Sequence, residues 1–536
     1  MRISTVVVAF LTLFLFRVWV LSNAPTDGEN LYRKGVLSSG AAVVGNREGG
    51  GSSSGDSAAC VNCHRPSGMG SVEGGTVIPP ITARYLFQPG GNFGREANHV
   101  ERQTTARSPY TDITLARAIR EGTDPEGRKL NYLMPRFKLD DATMNSLIAY
   151  LKQLSSGPVP GVTADTLHFA TIITPDADPV KRKGMLDVLE HFVAANNLFY
   201  RPIPPPVRYT KMMYRVPHKW QLHVWELAGE PETWADQLRK RLKSEPVFAV
   251  ISGLGGRNWE PVHQFCQQES IPCLFPNVDL PVVAENDFYN LYFSKGVLLE
   301  AQLMGQQIRE AAASMGIRRV VQIFREDDVG AAAAKALHDE LASNGLAAVD
   351  RPLSHHATNE EFTAAFKKTG DRDALVLWLR PDDLRNLPDD PPKSGMVFVS
   401  GLMGGLDDAP LKGAWHSASR MTYPFEVPSR RGVLLDYPLG WFRIQRIPVV
   451  AEETQIETYI ACNIVSESLH DMLDNFVRDY LVENIEEMLS TRTIDGYYSR
   501  LGLAPGQRFA SKGGYIVRFA GADGKKLIPD GDWIVP

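Results

Sequence analysis

The sequence predicts a multidomain chain, a small all-α domain followed by a larger α/β domain with parallel sheets, and three observations carry that prediction. A Ser/Gly/Pro stretch at 155–160 separates regions of different hydrophobic period. Before it, apolar residues recur at helical spacing with little strand signal; after it, short β-rich runs alternate with amphipathic helices. At 536 residues the chain exceeds one ordinary domain of roughly 150 residues.

The expected segments are an export signal or N-terminal anchor at 1–24, the small domain at 25–155, a linker at 156–166, the α/β domain at 167–501, and a C-terminal β-hairpin extension packed on it at 502–536. In the first, Arg2 precedes an apolar run from Val6 to Phe16, and Ser22-Asn23-Ala24 offers small residues for cleavage. Arg17 interrupts the run and Pro25 would follow the cut, so an uncleaved membrane anchor is the alternative. Composition is that of a globular protein, 43% hydrophobic and 22% charged, and 62 acidic against 57 basic residues speak against a nucleic-acid partner.

Within the small domain, helices are expected at Glu29–Gly35, Asp112–Glu121 and Asp140–Leu154. The last has the clearest stripe, Met144, Leu147, Ile148, Leu151 and Leu154, with Asp140 as its cap. From Asn46 to Ser57 the residues are nearly all Gly, Ser and charge, which reads as a flexible surface loop.

In the larger domain the β-rich runs are Leu167–Ile173, Leu222–Glu226, Val247–Ser252, Val320–Phe324, Ala374–Leu379 and Met396–Ser400. Helices at Gly296–Met315 and Ala331–Asn344, the latter stopped by Gly345, typify the segments between them. Such alternation builds parallel sheets covered by helices, and two sheets fit between Thr166 and Leu501. Gly513 to Trp533, around Gly521-Ala522-Asp523-Gly524, reads as a β-hairpin. Arg201-Pro202-Ile203-Pro204-Pro205-Pro206 reads as an extended surface crossing or partner contact, and His355-His356 as an exposed pair.

The residues that carry chemistry are Cys60-Val61-Asn62-Cys63-His64. Two cysteines on one helical turn match the vinyl spacing of a porphyrin, and the next residue turns its imidazole to the iron. Cys60 and Cys63 are therefore expected to hold one covalent haem c, with His64 as proximal ligand. Met134 in Leu133-Met134-Pro135 is the expected sixth ligand, because the proline stiffens an extended loop; Met69 lies too near His64, and Met144 belongs to a helix stripe. Both axial places filled implies outer-sphere electron transfer rather than an enzyme. Of the remaining cysteines, Cys266 and Cys273 either bridge or stay as two buried thiols, and Cys462 stands apart.

From Gly28 to Leu154 the chain resembles the class I cytochrome c family. The likeness rests on the Gly28–Gly35 helix, the Cys60–His64 motif, Met134-Pro135 and the closing Leu147-Ile148-Ala149-Tyr150-Leu151 helix. The resemblance implies that Gly35 packs on Tyr150. It also implies that a proline carbonyl accepts from the other nitrogen of His64, with Pro80 of Ile78-Pro79-Pro80-Ile81 as the match and Pro79 as the rival.

From Leu167 to Leu501 the chain resembles the type I periplasmic binding proteins of the branched-chain amino-acid receptor group. The likeness rests on Phe248-Ala249-Val250-Ile251-Ser252-Gly253, then Glu269-Ser270-Ile271-Pro272, then Val320–Phe324 leading to Asp327-Asp328-Val329-Gly330. It implies two lobes with a ligand between them, and as ligand-binding candidates Thr174, Asp176, Ser252, Gly253, Asp327, Asp328 and Arg380. Ser252-Gly253-Leu254-Gly255-Gly256 carries one hydroxyl, and Phe275-Pro276-Asn277-Val278-Asp279 lacks the family's threonine, which speaks against amino-acid transport.

Together these readings imply a periplasmic electron-transfer protein whose receptor-like module binds a small molecule or docks a partner. That partner would be another cytochrome or a periplasmic dehydrogenase, such as a quinoprotein alcohol dehydrogenase. The alternative is an ABC-type solute-binding protein with an accessory haem domain; a haem enzyme is the third reading.

Overall fold

The computed structural model describes residues 26–88, 107–200, 218–342, 345–492, 494, 497–521 and 526–536. The expected N-terminal signal or anchor, the Arg201–Pro206 segment and residues 522–524 of the expected hairpin lie outside the described residues. The chain forms two compact units, Met1–Pro158 and Val159–Pro536.

The first unit is built on two crossing helices. Asp27–Lys34 starts where Thr26 Oγ1 accepts from Glu29 N (3.1 Å) and ends at Gly35, whose φ of 62° admits a left-handed turn. Asp141–Gln153 starts where Asp140 accepts from Thr143 N (2.7 Å). Leu31 and Tyr32 pack with Leu147, Ile148 and Leu151 in one core, joined by Leu115 and Ile119 of Asp112–Glu121. The small residue at the crossing is Gly28, not the expected Gly35. A Cβ on Gly28 would stand 2.1 Å from Ser146 O and 2.9 Å from Tyr150 Cβ, whereas Gly35 sits against Gly55 O as a helix terminator.

The Gly/Ser stretch is not the expected loose loop. Strand β1 (Val44–Asn46) pairs antiparallel with β2 (Ser52–Ser54). Gly49, Gly50 and Gly51 make the turn at positive φ. A second hairpin joins β3 (Ser71–Glu73) to β4 (Thr76–Ile78), and β5 (Arg136–Phe137) pairs with β1. The helical core thus gains two small sheets that apolar periodicity could not announce, because backbone pairing rather than side-chain burial holds them.

The second unit has two sheets. The first contains β6 (Thr166–Ile173), β7 (Lys219–Glu226), β8 (Ala249–Ile251), β9 (Cys273–Leu274) and β10 (Asn290–Leu291), all parallel in the order β10-β9-β8-β6-β7. The second contains β11 (Arg319–Arg325), β12 (Ala347–Leu353), β13 (Asp373–Trp378), β14 (Met396–Val399), β15 (Ser419–Tyr423), β16 (Tyr515–Ala520) and β17 (Lys526–Pro529). Its order is β12-β11-β13-β14-β15-β16-β17, and the last two join antiparallel, so the C-terminal hairpin extends this sheet. The expected linker is shorter than 156–166, because His168 N donates to Gly161 O (2.8 Å) and Val162 bridges Leu167.

Each sheet marks a lobe, and the chain passes between them after β10, after β15 and before β16. The second passage returns to the first lobe through Glu452–Met472, where Thr458 meets Ser252 (2.8 Å), and Arg478–Thr491, where Arg478 Nη2 donates to Val247 O (2.6 Å). Cys266 and Cys273 are buried thiols and unbridged. Among the described residues no helix is long and apolar enough to cross a membrane.

Candidate functional site

Two sites follow from this framework, one in each unit. In the first, Cys60 opens the single helical turn Val61–His64, and His64 N donates to Cys60 O at 2.9 Å. Both cysteines therefore lie on one turn, and neither is in a disulfide. Burial pushes the Cys60 thiol up to about 12. His64 is 6% exposed, and burial pulls its imidazole down to about 4, outweighing the opposite pull of its carbonyl partner. A neutral imidazole is the form that binds a metal.

That carbonyl belongs to Pro79, 3.1 Å from His64 Nδ1, and not to the expected Pro80. The β3–β4 hairpin decides between them: Pro79 follows β4 directly, and the hairpin is fastened to the motif. Ser71 Oγ donates to Cys63 O (3.1 Å), and Gly70 N donates to His64 O (3.1 Å). At Gly70, φ is 76° and a Cβ would stand 2.1 Å from Ile78 O, so only glycine lets the hairpin close. Since a carbonyl only accepts, Nδ1 carries the proton and Nε2 is left as a lone-pair donor. The residues present fit a thioether-linked haem: two thiols on one turn and a neutral, oriented imidazole beside them.

Met134 lies in a braced loop, partly buried against the unit's core. Arg47 Nε, beyond β1, donates to Leu133 O (3.2 Å), and Arg136 donates to the Met134 carbonyl. Gly45 of β1 leaves room for Pro135, since a Cβ there would be 2.8 Å from Pro135 Cβ. The hairpin hidden in the Gly/Ser stretch is therefore the buttress of the Met134 loop. Met69 and Met144 are 5% and 1% exposed and belong to the packed interior.

The second site is a cleft of about 1150 Å³ between the lobes of the larger unit, where loops leave the carboxyl ends of the strands. Of the ligand-binding candidates, Asp176, Asp327, Asp328 and Arg380 line it. Thr174, Ser252 and Gly253 do not. Thr174 Oγ1 donates to Asp176 Oδ1 (2.8 Å) and accepts from Gly256 N (2.8 Å), so it shapes the loop behind Asp176. Ser252 is fully buried and bonded to Thr458 and to Asn277 Nδ2 (2.9 Å), while Gly253 is pressed against Trp259.

Sequence reasoning missed several cleft residues that come together only across lobes. Arg257 of the first lobe reaches Asp327 Oδ2 of the second at 3.2 Å. His355, exposed as expected, also meets Asp327 Oδ2 through Nδ1 at 2.9 Å. Arg380 of the second lobe holds Asp328 through two bonds (2.7 and 2.9 Å) and Asp279 of the first through a third (2.7 Å). Burial opposes ionisation of Asp279, but Lys181 and Arg380 overcome it and hold the carboxyl below its ordinary value. Glu453 and Glu457, one turn apart on Glu452–Met472, are raised by burial. Their one-turn spacing was the only sequence signal for this pair.

Residues 51–155 match the family model for cytochrome c. The fold is similar to that of solved proteins that cover about 70% of the chain. One is a branched-chain amino-acid ABC transporter protein from Thermus thermophilus with bound valine, at 12% identity and TM-score 0.53, covering 70% of this chain and 97% of that one. Another is a fatty acid ABC transporter substrate-binding protein from Thermomonospora curvata, at 14% identity and TM-score 0.51, covering 71% and 95%. No curated protein matches the chain.

Proposed function

From a cytochrome c region joined to a periplasmic-binding-protein fold, we infer a periplasmic electron carrier with an attached receptor module. Cys60 and Cys63 would hold one haem c, and His64 and Met134 would be the side chains that bind its iron. The observation that carries this reading is the His64–Pro79 bond, which fixes a neutral imidazole beside two cysteines on one turn. When bound, the haem supplies a one-electron iron couple. The chain's own residues orient and tune: Pro79 fixes the imidazole, the β3–β4 hairpin covers the motif, and Arg47 and Arg136 hold the Met134 loop. With His64 and Met134 both bound to the iron, the haem would supply electron transfer rather than a site for substrate, the chemistry of a carrier.

The donor class we propose is a periplasmic dehydrogenase, such as a quinoprotein alcohol dehydrogenase, or another cytochrome. The larger unit either docks that partner or reports on a small molecule. A second reading, a solute-binding protein with an accessory haem, is favoured by the cleft itself, whose lobes are already joined by Arg380. Two measurements test the assignment. The pigment of purified protein from a host competent in cytochrome maturation should resist extraction by acidified organic solvent, and the ferrous form should ignore carbon monoxide. Extractable pigment would sink the covalent haem, and prompt carbon monoxide binding would sink the second axial ligand.

A further inference from the structure

A small cavity of about 40 Å³ lies at the floor of the cleft. Lys181, Asn277, Asp279 and Glu453 line both, so the cavity opens from the cleft. At roughly 10–15 Å³ per water-sized group it has room for about three such groups. Its lining is rich in acceptors. Glu457 is 8% exposed and accepts from the Tyr498 hydroxyl. The Glu453 carboxyl makes no hydrogen bond and no ion pair among the described residues.

Of the three carboxylates that line the cavity, Asp279 is paired with Lys181 and Arg380. Glu453 and Glu457 are the other two; burial works against the ionisation of both, and the Glu453 carboxyl works further against that of Glu457. A separate observation points the same way. Asn277, also 8% exposed, gives its Nδ2 to Ser252 Oγ, while its Oδ1 is buried with no donor. A ligand suited to this lining donates hydrogen bonds and carries positive charge. Among the described residues no group of His, Cys, Asp and Glu is disposed to hold a metal ion, which favours an organic cation.

We propose that this cavity is the ammonium subsite of the receptor module, and that the cleft takes a primary amine lacking a carboxylate, its ammonium held by Glu453 and Glu457. The proposal rests on the receptor reading of the larger unit. Lys181 is the internal cation that an incoming ammonium must share the acids with.

The test is isothermal titration of the full-length, haem-loaded protein with n-butylamine, 1,4-diaminobutane, n-butanol, butyrate and valine. The amines should bind and the other three should not. Glu453→Gln and Glu457→Gln should each weaken amine binding tenfold or more, with far-UV circular dichroism checking that each variant folds. Lys181→Gln should tighten it several-fold, a gain that misfolding cannot imitate. Amine binding unchanged in both glutamine variants overturns the proposal. Binding of valine or butyrate in place of the amines overturns it and leaves the receptor reading intact. Silence from the whole panel overturns the amine proposal and counts against the receptor reading as well.

Discussion

Arg380 Nη1 donates to Asp279 Oδ2 at 2.7 Å, and in that one bond the second lobe of the larger unit holds the first. The same guanidinium is anchored in its own lobe by Asp328. The Asp279 contact is thus an arm reaching across a cleft rather than a chance surface pair. Arg257 and Asp327 make a second tie in the opposite sense.

If Arg380 is the latch, Arg380→Ala should open the cleft. Its side chain is 34% exposed, so solvent screens part of the loss and we expect only ~1–2 kcal/mol of destabilisation. Small-angle scattering of ligand-free protein should show a larger radius of gyration for the variant. Equal radii would mean that other contacts hold the lobes together.

At the haem motif, Met134→Ala should convert a carbon-monoxide-silent ferrous protein into one that binds the gas. His64→Ala should instead prevent stable, correctly ligated haem. A Met134→Ala protein as silent as the parent would show that another side chain occupies that place.

Gly45→Val tests the buttress. The new side chain would collide with Pro135 and with the Phe137 ring, whose Cε1 lies 2.9 Å from the added Cβ. Overpacking of this kind costs ~1–3 kcal/mol. The change should disturb Met134 while leaving the Cys60–His64 turn alone, read as carbon monoxide binding with haem content unchanged. Gly40→Ala, where nothing lies within 4 Å of the added Cβ, is the control and should cost only the strain of its φ of 80°.

Glu300 gives a prediction about pH. It is fully buried, and burial pushes its carboxyl up to about 7, although Ser400, Thr422 and the Gly401 and Leu402 amides all donate to it. The folded protein thus keeps a proton that the unfolded chain releases near its ordinary 4.5. Glu300 should therefore contribute most below pH 4.5, and stability should fall as pH rises towards 7, by about 3 kcal/mol in all. Urea unfolding from pH 4.5 to 8 should show this slope in the parent protein. Glu300→Gln should flatten it, and an unchanged slope would exclude Glu300 as its source.

Much of this molecule was legible before any coordinates. Asp140 marked its helix because a side-chain oxygen before an apolar stripe has one local job, to accept from the first-turn amides. Five of the six β-rich runs became strands because a buried parallel strand needs a continuous apolar stretch, whereas Leu222–Glu226 lies in β7, the edge strand of the first sheet, where polar residues are tolerated. β12 escaped notice because Asp350, Arg351 and Pro352 break that pattern, which an edge strand tolerates. β9 and β10, two residues each, were too short to leave a signature. The expected Gly35–Tyr150 contact failed because the crossing point of two helices depends on their relative rotation, which placed Gly28 there instead.

What the sequence determined by itself is the local chemistry: Cys60, Cys63 and His64 share one turn of backbone, and no distant residue is needed to bring them together. What only the tertiary structure decided is every relation across chain distance. Pro79 rather than Pro80 meets His64, the Gly/Ser stretch supports Met134, and Asp279, Arg380 and Glu453 converge on one cleft. Local geometry is fixed by covalent spacing and helical period, whereas convergence depends on how sheets and helices pack, and packing is a property of the whole chain.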